Sequence, residues 1–579
     1  MSSPMHRMQG MVVRSSENRR RALGERSACW LALAMLATGC ATMGEGAPSA
    51  AHPTTSRPSS AAARTDNPPT GSPSASAVAA TDGAQADSAA DAEPAHLPKA
   101  KSGDTSGKAS AAPSDEGVQV GGGSPTTPPP STASGKRVWA PIGLVKILDK
   151  PDRDAPVIGA FRNGQSVVVR ENEKPVSQRR LYQCSEAWYP VQPRGWVCVG
   201  GPGHATFDGN DVTVKAAAEA LPDLSQSYPF HFGVSVGTPR YFRIPTAAEQ
   251  RQVEPDLDKY LASLPAADPQ KGGAVDTAPA GHGPSEALLV YFKQVNPPLT
   301  NPDVAYEGMK VAWTKEFDAN GRTWLLTPTF DLLPKDRIRQ QPLPTLRGVD
   351  LKNNPEMHLP LAFSWLDDAV KYRRDDKGNI VPTDEKWPRH SFVPATGGMA
   401  KGDHGRWYWE MRDGSLAYYP DVTIIKNAGR LAGVGPDEKW VQVRVTWGYM
   451  VAYEGGTPVY TTAISPGIDG ISARAHATAK GKQHIKWKLL SSDMSGHDQG
   501  KDWFVDEVPW TQYYKGNFAV HGAWWHDDFG RPKSHGCINV PPADAMWLFN
   551  WMDPQMPEGW YAVSPYAPVA KSTLVYIQY

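Results

Sequence analysis

The spacing of hydrophobic and polar positions changes several times along the chain. Four runs at 142–148, 156–161, 165–170 and 195–199 are rich in Val, Ile and Leu and are separated by Gly, Pro and Asp. That pattern predicts short strands joined by turns. Residues 439–445 (KWVQVRV) alternate apolar and polar, as a half-buried strand does. Residues 449–460 read as strand, Gly455-Gly456 turn, strand, and 517–522 as a strand ending in His521-Gly522. Pro541 and Pro542 open a helix over 543–551. In 201–437 one helical patch is expected, at 246–264, and Asp413-Gly414 marks a hairpin turn before 416–419. The fold class predicted is mainly β.

Upstream of these strands the pattern disappears. Residues 41–136 are dominated by Ala, Ser, Pro, Thr and Gly. Such a segment cannot bury enough apolar surface to offset its ordering entropy. As a flexible coil it would span roughly 50–60 Å. Residues 265–285 read as a similar insert. Before the tether, Arg14, Arg19, Arg20, Arg21 and Arg26 lead into the apolar run 28–37, which ends at Leu36-Ala37-Thr38-Gly39-Cys40. A run that short suits a signal-peptide core and is too short to span a bilayer. The expected location is therefore the cell envelope, outside the cytoplasm, where thiols can be oxidised.

Composition narrows the function classes. The 579 residues include 60 Lys and Arg against 60 Asp and Glu. A nucleic-acid-binding protein would show a basic surplus, so no nucleic-acid partner is expected. The 20 Trp argue against a wholly disordered chain. Cys184 and Cys198 flank Trp188 and Trp196 on neighbouring predicted strands, so a disulfide between them is expected, the alternative being two buried thiols. No second Cys pair or nearby His completes a metal site there.

Candidate chemistry concentrates near the C-terminus. Ser534-His535-Gly536-Cys537-Ile538-Asn539 places a cysteine in a glycine-containing turn. A thiol becomes a strong nucleophile only when a base or a positive field removes its proton. His521, at a strand end 16 residues earlier, is the candidate base. Backbone N–H groups of Gly536 and Cys537 are candidates for an oxyanion hole. Trp524, Trp525, Tyr513 and Tyr514 are candidates to shield an acyl-enzyme, or else core residues. No cofactor is expected. A rival reading gathers His521, His526, Asp527, Asp528 and His535 around zinc as a wall peptidase, although their spacing matches no familiar zinc motif.

Three resemblances follow from these residues. The segment ending at Cys40 resembles the lipobox of bacterial lipoproteins, which implies cleavage before Cys40, lipidation of its sulfur and attachment to a membrane, taken here as the outer membrane. The strands of 137–200 resemble bacterial SH3-like domains, small barrels that often bind wall peptides. His521-Gly522, Gly530 and Ser534-His-Gly-Cys-Ile-Asn closely resemble the signature of L,D-transpeptidases of the YkuD type. That resemblance implies a β-sandwich-like domain with a short helix after the cysteine. It implies that Cys537 attacks a peptidoglycan stem peptide, that His521 moves the proton, and that the Gly522 carbonyl orients His521. His535 and Ser534 would shape the site and Asn539 would brace the turn. Stem peptides would be both donor and acceptor. One departure is visible: 478–483 (TAKGKQ) stands where the family often has Thr-Pro-x-Gly-x-Phe, in a loop expected to lie away from the cysteine. The expected organisation is a leader at 1–39, a tether at 40–136, an SH3-like domain at 137–200, a β-rich region without assigned role at 201–437, and a catalytic domain at 438–579. The non-enzymatic alternative is a wall-binding lipoprotein.

Overall fold

The computed structural model describes residues 135–177, 184–201, 204–264, 282–468, 476–498, 500–565 and 571–579. The leader, Cys40 with its expected lipid, the tether up to residue 134 and positions 265–281 lie outside the described residues. The described chain is mainly β, in several sheets, with a short helix near the C-terminus.

The largest sheet draws strands from all three expected folded regions. They are β1 (Val157–Arg162), β2 (His231–Ser235), β3 (Lys310–Trp313), β4 (Trp487–Asp498), β5 (Lys501–Lys515), β6 (Phe518–Gly522), β7 (Ile538–Val540) and β8 (Ala562–Val563). Their order is β2-β3-β5-β4-β8-β1, with β6 on β5 and β7 on β6. β1 joins β8 through the pairs Ala160–Ala562 and Gly159–Val563. A side chain at 159 would collide with the Trp560 ring, 2.1 Å from the Cβ position, so glycine permits this junction.

The small barrel expected at 137–200 is not closed. Arg137–Trp139 pairs with Ser166–Val168, whereas Leu144–Leu148, Trp196–Val199 and Ala187–Pro190 extend the large sheet outward from β1. An edge strand carries unmet N–H and C=O groups, and here β1 meets them against β8. The Cys184–Cys198 disulfide is present. In the chain-entropy view, closing a loop of this length contributes about 3 kcal/mol.

A second sheet contains Lys439–Arg444, Tyr449–Glu454 and Thr457–Ala463 as antiparallel neighbours, with Leu574–Gln578 parallel to the first. Its Val441, Val443 and Met450 pack against Trp510, Val520 and Ile538 of the large sheet. Leu548 and Phe549 of the helix Pro542–Trp551 complete this core. Asp544, in the first turn of that helix, accepts hydrogen bonds from the Tyr460 hydroxyl at 2.7 Å, the Gly348 N–H at 2.8 Å and the Thr462 hydroxyl. Burial pushes its carboxyl up to about 6.

The middle region holds more helix than its sequence pattern suggested. The 246–264 patch splits into Ala247–Val253 and Leu257–Ser263, because Pro255 forces Glu254 out of helical geometry. Val212–Ala218 and Glu286–Val295 are additional helices. The Asp413-Gly414 turn joins Trp407–Met411 to Leu416–Tyr418 in a seven-stranded sheet.

Two buried arginines tie the upstream regions to β5. Arg162 of β1 donates to Glu507 at 2.7 Å and to Ser491 at 3.3 Å, and its guanidinium lies 4.0 Å from the Tyr561 ring centroid. Arg240 donates to Asp506 at 3.2 Å. Glu507 itself is in left-handed geometry, φ +49°, with its N–H donated to Asp493 at 3.0 Å.

Candidate active site

Two short parallel strands position the site. Val520 pairs with Ile538, and His521 with Asn539. Cys537 therefore stands level with Ala519, two residues or roughly 7 Å along the strand from His521. Residues 519 and 521 share a face. His521 and Cys537 both line a cavity of about 420 Å³.

His521 is 2 % exposed, and its Nδ1 lies 3.3 Å from the Gly522 carbonyl oxygen. With the proton on Nδ1, that contact leaves Nε2 with its lone pair free for a proton. Burial lowers the His521 pKa to about 4, partly opposed by the Gly522 contact. Burial likewise pushes the Cys537 thiol up to about 11. The sulfur is nevertheless half-buried at the cavity wall, with its S–H 3.5 Å from the Asn517 carbonyl. The resting pair is thus a neutral thiol and a neutral imidazole, not an ion pair.

That pairing sets a pH profile. His521 accepts a proton wherever it is neutral, above about pH 4, and Cys537 holds its proton up to about pH 11. The acidic limb of kcat/KM for acylation should fall near pH 4, with no basic limb below about pH 10. An acidic limb between pH 6 and 7 would contradict a neutral resting pair.

The turn before β7 is stapled internally. Ser534 is buried, and its hydroxyl donates to the Cys537 carbonyl at 2.5 Å while accepting the Gly536 N–H at 3.0 Å. Of the two expected oxyanion donors, Gly536 is therefore already engaged. The Cys537 N–H makes no hydrogen bond among the described residues and is the donor that remains. Gly536 has φ +122°, and a Cβ there would come 2.6 Å from the Phe518 ring, so only glycine fits the turn.

The remaining candidates divide. Trp525 lines the cavity and stacks on His521 with centroids 5.8 Å apart. Trp524 is instead fully buried and stacks on Phe232 at 4.7 Å. Tyr514 is buried in the core beneath, and the Tyr513 hydroxyl is tied to Ser492 at 3.0 Å. Neither tyrosine lines the cavity. Asn539 does line it, but its side chain pairs with His526 at 2.8 Å and braces that loop, not the cysteine turn. His535 is exposed, stacks on Trp503 at 4.9 Å and lies 3.4 Å from Asp498.

The five residues of the zinc reading do not converge. Among the described residues the one ligand-capable group is His476, Asp498 and His535, which shares only His535 with that set. The 478–483 segment is also closer than expected. The Ala477 carbonyl lies 3.3 Å from the Gly536 Cβ position, and the Thr478 hydroxyl accepts the N–H of Gly467, which bridges to Ser534. Trp503, Asp498, Lys501, Lys533 and Lys310 line the cavity without having been anticipated. Trp503 and Asp498 lie in the β4–β5 hairpin, whose interspersed charges hide its alternation, and Lys310 lies far upstream.

Comparison with known proteins agrees with this domain. Residues 438–577 match the YkuD family, the L,D-transpeptidase catalytic domain. Similar solved structures include an L,D-transpeptidase from Xylanimonas cellulosilytica, at 23% identity over 26% of this chain and 63% of that one, TM-score 0.17. The catalytic domain of the E. faecium L,D-transpeptidase is 20% identical over 24% of this chain and 98% of that one, TM-score 0.19. An L,D-transpeptidase from Mycobacterium smegmatis is 14% identical over 41% and 93%, TM-score 0.19. Of the first of these, the chain spans less than two-thirds of the length. No curated protein matches the chain. At 438–577 the chain is thus similar to a YkuD domain. That family is the catalytic domain type of L,D-transpeptidases.

Proposed function

We propose that this protein is a cysteine-dependent L,D-transpeptidase acting on peptidoglycan stem peptides. The observation that carries the reading is the placement of His521 on β6 and of Cys537 just before β7, its parallel neighbour, with both side by side in the wall of one cavity. His521 Nε2 takes the thiol proton as sulfur attacks the carbonyl of the third stem residue. The tetrahedral oxyanion is held by the Cys537 N–H. Collapse breaks the amide bond, and the departing amine leaves with the proton from Nε2. A second amine then attacks the thioester, gives its proton to His521, and forms the new amide as the thiol is restored. Stem-to-stem 3→3 cross-linking and attachment of another amine share this acyl-enzyme. The positioning of Cys40 implies a lipid anchor facing the periplasm, and the strands of 137–200 imply a wall-binding module. These two proposals rest on sequence resemblance.

The test is intact-mass spectrometry of the protein with a tetrapeptide donor. The expected adduct equals the donor less its terminal residue and maps to the peptide containing Cys537. Turnover without such an adduct, or an adduct mapped elsewhere, would remove the reading.

A further inference from the structure

Lys310 lies outside the YkuD match, in the region at 201–437, yet its side chain lines the cavity that holds Cys537. It reaches the cavity through β3, where Lys310 bridges Val505 of β5 in parallel. Val505 and Trp503 of β5 line the same cavity. Among the described residues the Lys310 ammonium has no hydrogen bond and no ion pair. Burial lowers its pKa, and no carboxylate offsets that effect. The neighbouring charges are arranged differently: Lys533 is paired with Asp528 at 2.8 Å, and Asp498 faces His535 at 3.4 Å. A cation withdrawn from water without a partner is a standing electrostatic cost, and an incoming anion removes it.

We propose that Lys310 is a specificity residue supplied by the middle region, which anchors a carboxylate of the donor peptide beside the bond that Cys537 attacks. The proposal rests on the transpeptidase reading above. A stem peptide offers one such carboxylate on the departing terminal residue, and a second where the third residue carries an acidic side chain. Their shared chemistry is an anionic, planar acceptor that a single ammonium can hold.

The experiment measures kcat/KM of acylation by the full chain with three tetrapeptide donors. One is free, one is amidated at its C-terminus, and one is amidated on the third side chain. The unmodified protein should prefer the free donor over one of the amidated donors by about 10- to 100-fold, the range for a hydrogen bond to a charged group. The disfavoured donor identifies the carboxylate. Lys310→Met should erase that preference while changing the rate on the disfavoured donor less than about threefold, and Lys310→Arg should restore part of it. A Lys310→Met protein that keeps the preference, or that slows on all three donors alike, overturns the assignment. Absence of any Cys537 adduct with all three donors instead removes the transpeptidase reading itself.

Discussion

Cys537→Ala should abolish acyl transfer, and His521→Ala should lower it by about 10²- to 10⁴-fold, the usual contribution of a positioned base. The first variant removes the attacking atom, so no covalent intermediate forms. The second keeps the sulfur but leaves it a thiol that burial holds neutral up to about pH 11. At pH 7 almost none of it would be thiolate, and no imidazole would take its proton during attack. The two losses should not add: the double variant should be no slower than Cys537→Ala alone, because both residues serve one step. Single-turnover acylation, read by mass or by release of the terminal amine, measures both. A His521→Ala protein that acylates at the normal rate would place the base elsewhere.

The second large effect concerns stability. Arg162→Ala should destabilise the protein by about 3–5 kcal/mol, the usual loss when one member of a buried ion pair is removed. Glu507 would be left as a buried carboxylate with Ser491 and no cation. It would also lose the cation that lies over Tyr561. Replacing both partners by apolar residues of similar volume should recover much of the loss, since no buried charge then remains unpaired. Denaturant midpoints of the single and double variants would show this. Equal midpoints for Arg162→Ala and the unchanged protein would mean that the ion pair contributes nothing. Because Glu507 follows Val505 of the cavity wall by two residues, Arg162→Ala should also slow acylation, although it lies in the N-terminal module.

The parts of the site with strong local patterns were legible in the sequence. The alternation at 439–445, the Gly455-Gly456 turn, the strand ending at His521 and the helix after Pro542 all occur as read. The β4–β5 hairpin was not legible, because Asp493, Asp506 and Glu507 interrupt its apolar pattern and look like loop residues. Glu507 and Asp506 are tolerated inside because Arg162 and Arg240 meet them from other parts of the chain, and Asp493 accepts the Glu507 N–H. The two adjacent tryptophans show a similar limit. Trp524 and Trp525 are adjacent and alike, and only the path of the chain just past the end of β6 decides that one packs on Phe232 and the other on His521. Lys310 had no local signal, since a lone lysine before Val311 and Ala312 reads as an ordinary strand start.

The shared sheet bears on how the protein can be handled. Cutting the chain at 438 would strip β8 and β5 of their outer neighbours, leaving two bare backbone margins on the fragment. Such margins recruit strands from other molecules. A fragment trimmed to the family match would thus tend to self-associate and would lack Lys310 at the cavity that holds Cys537.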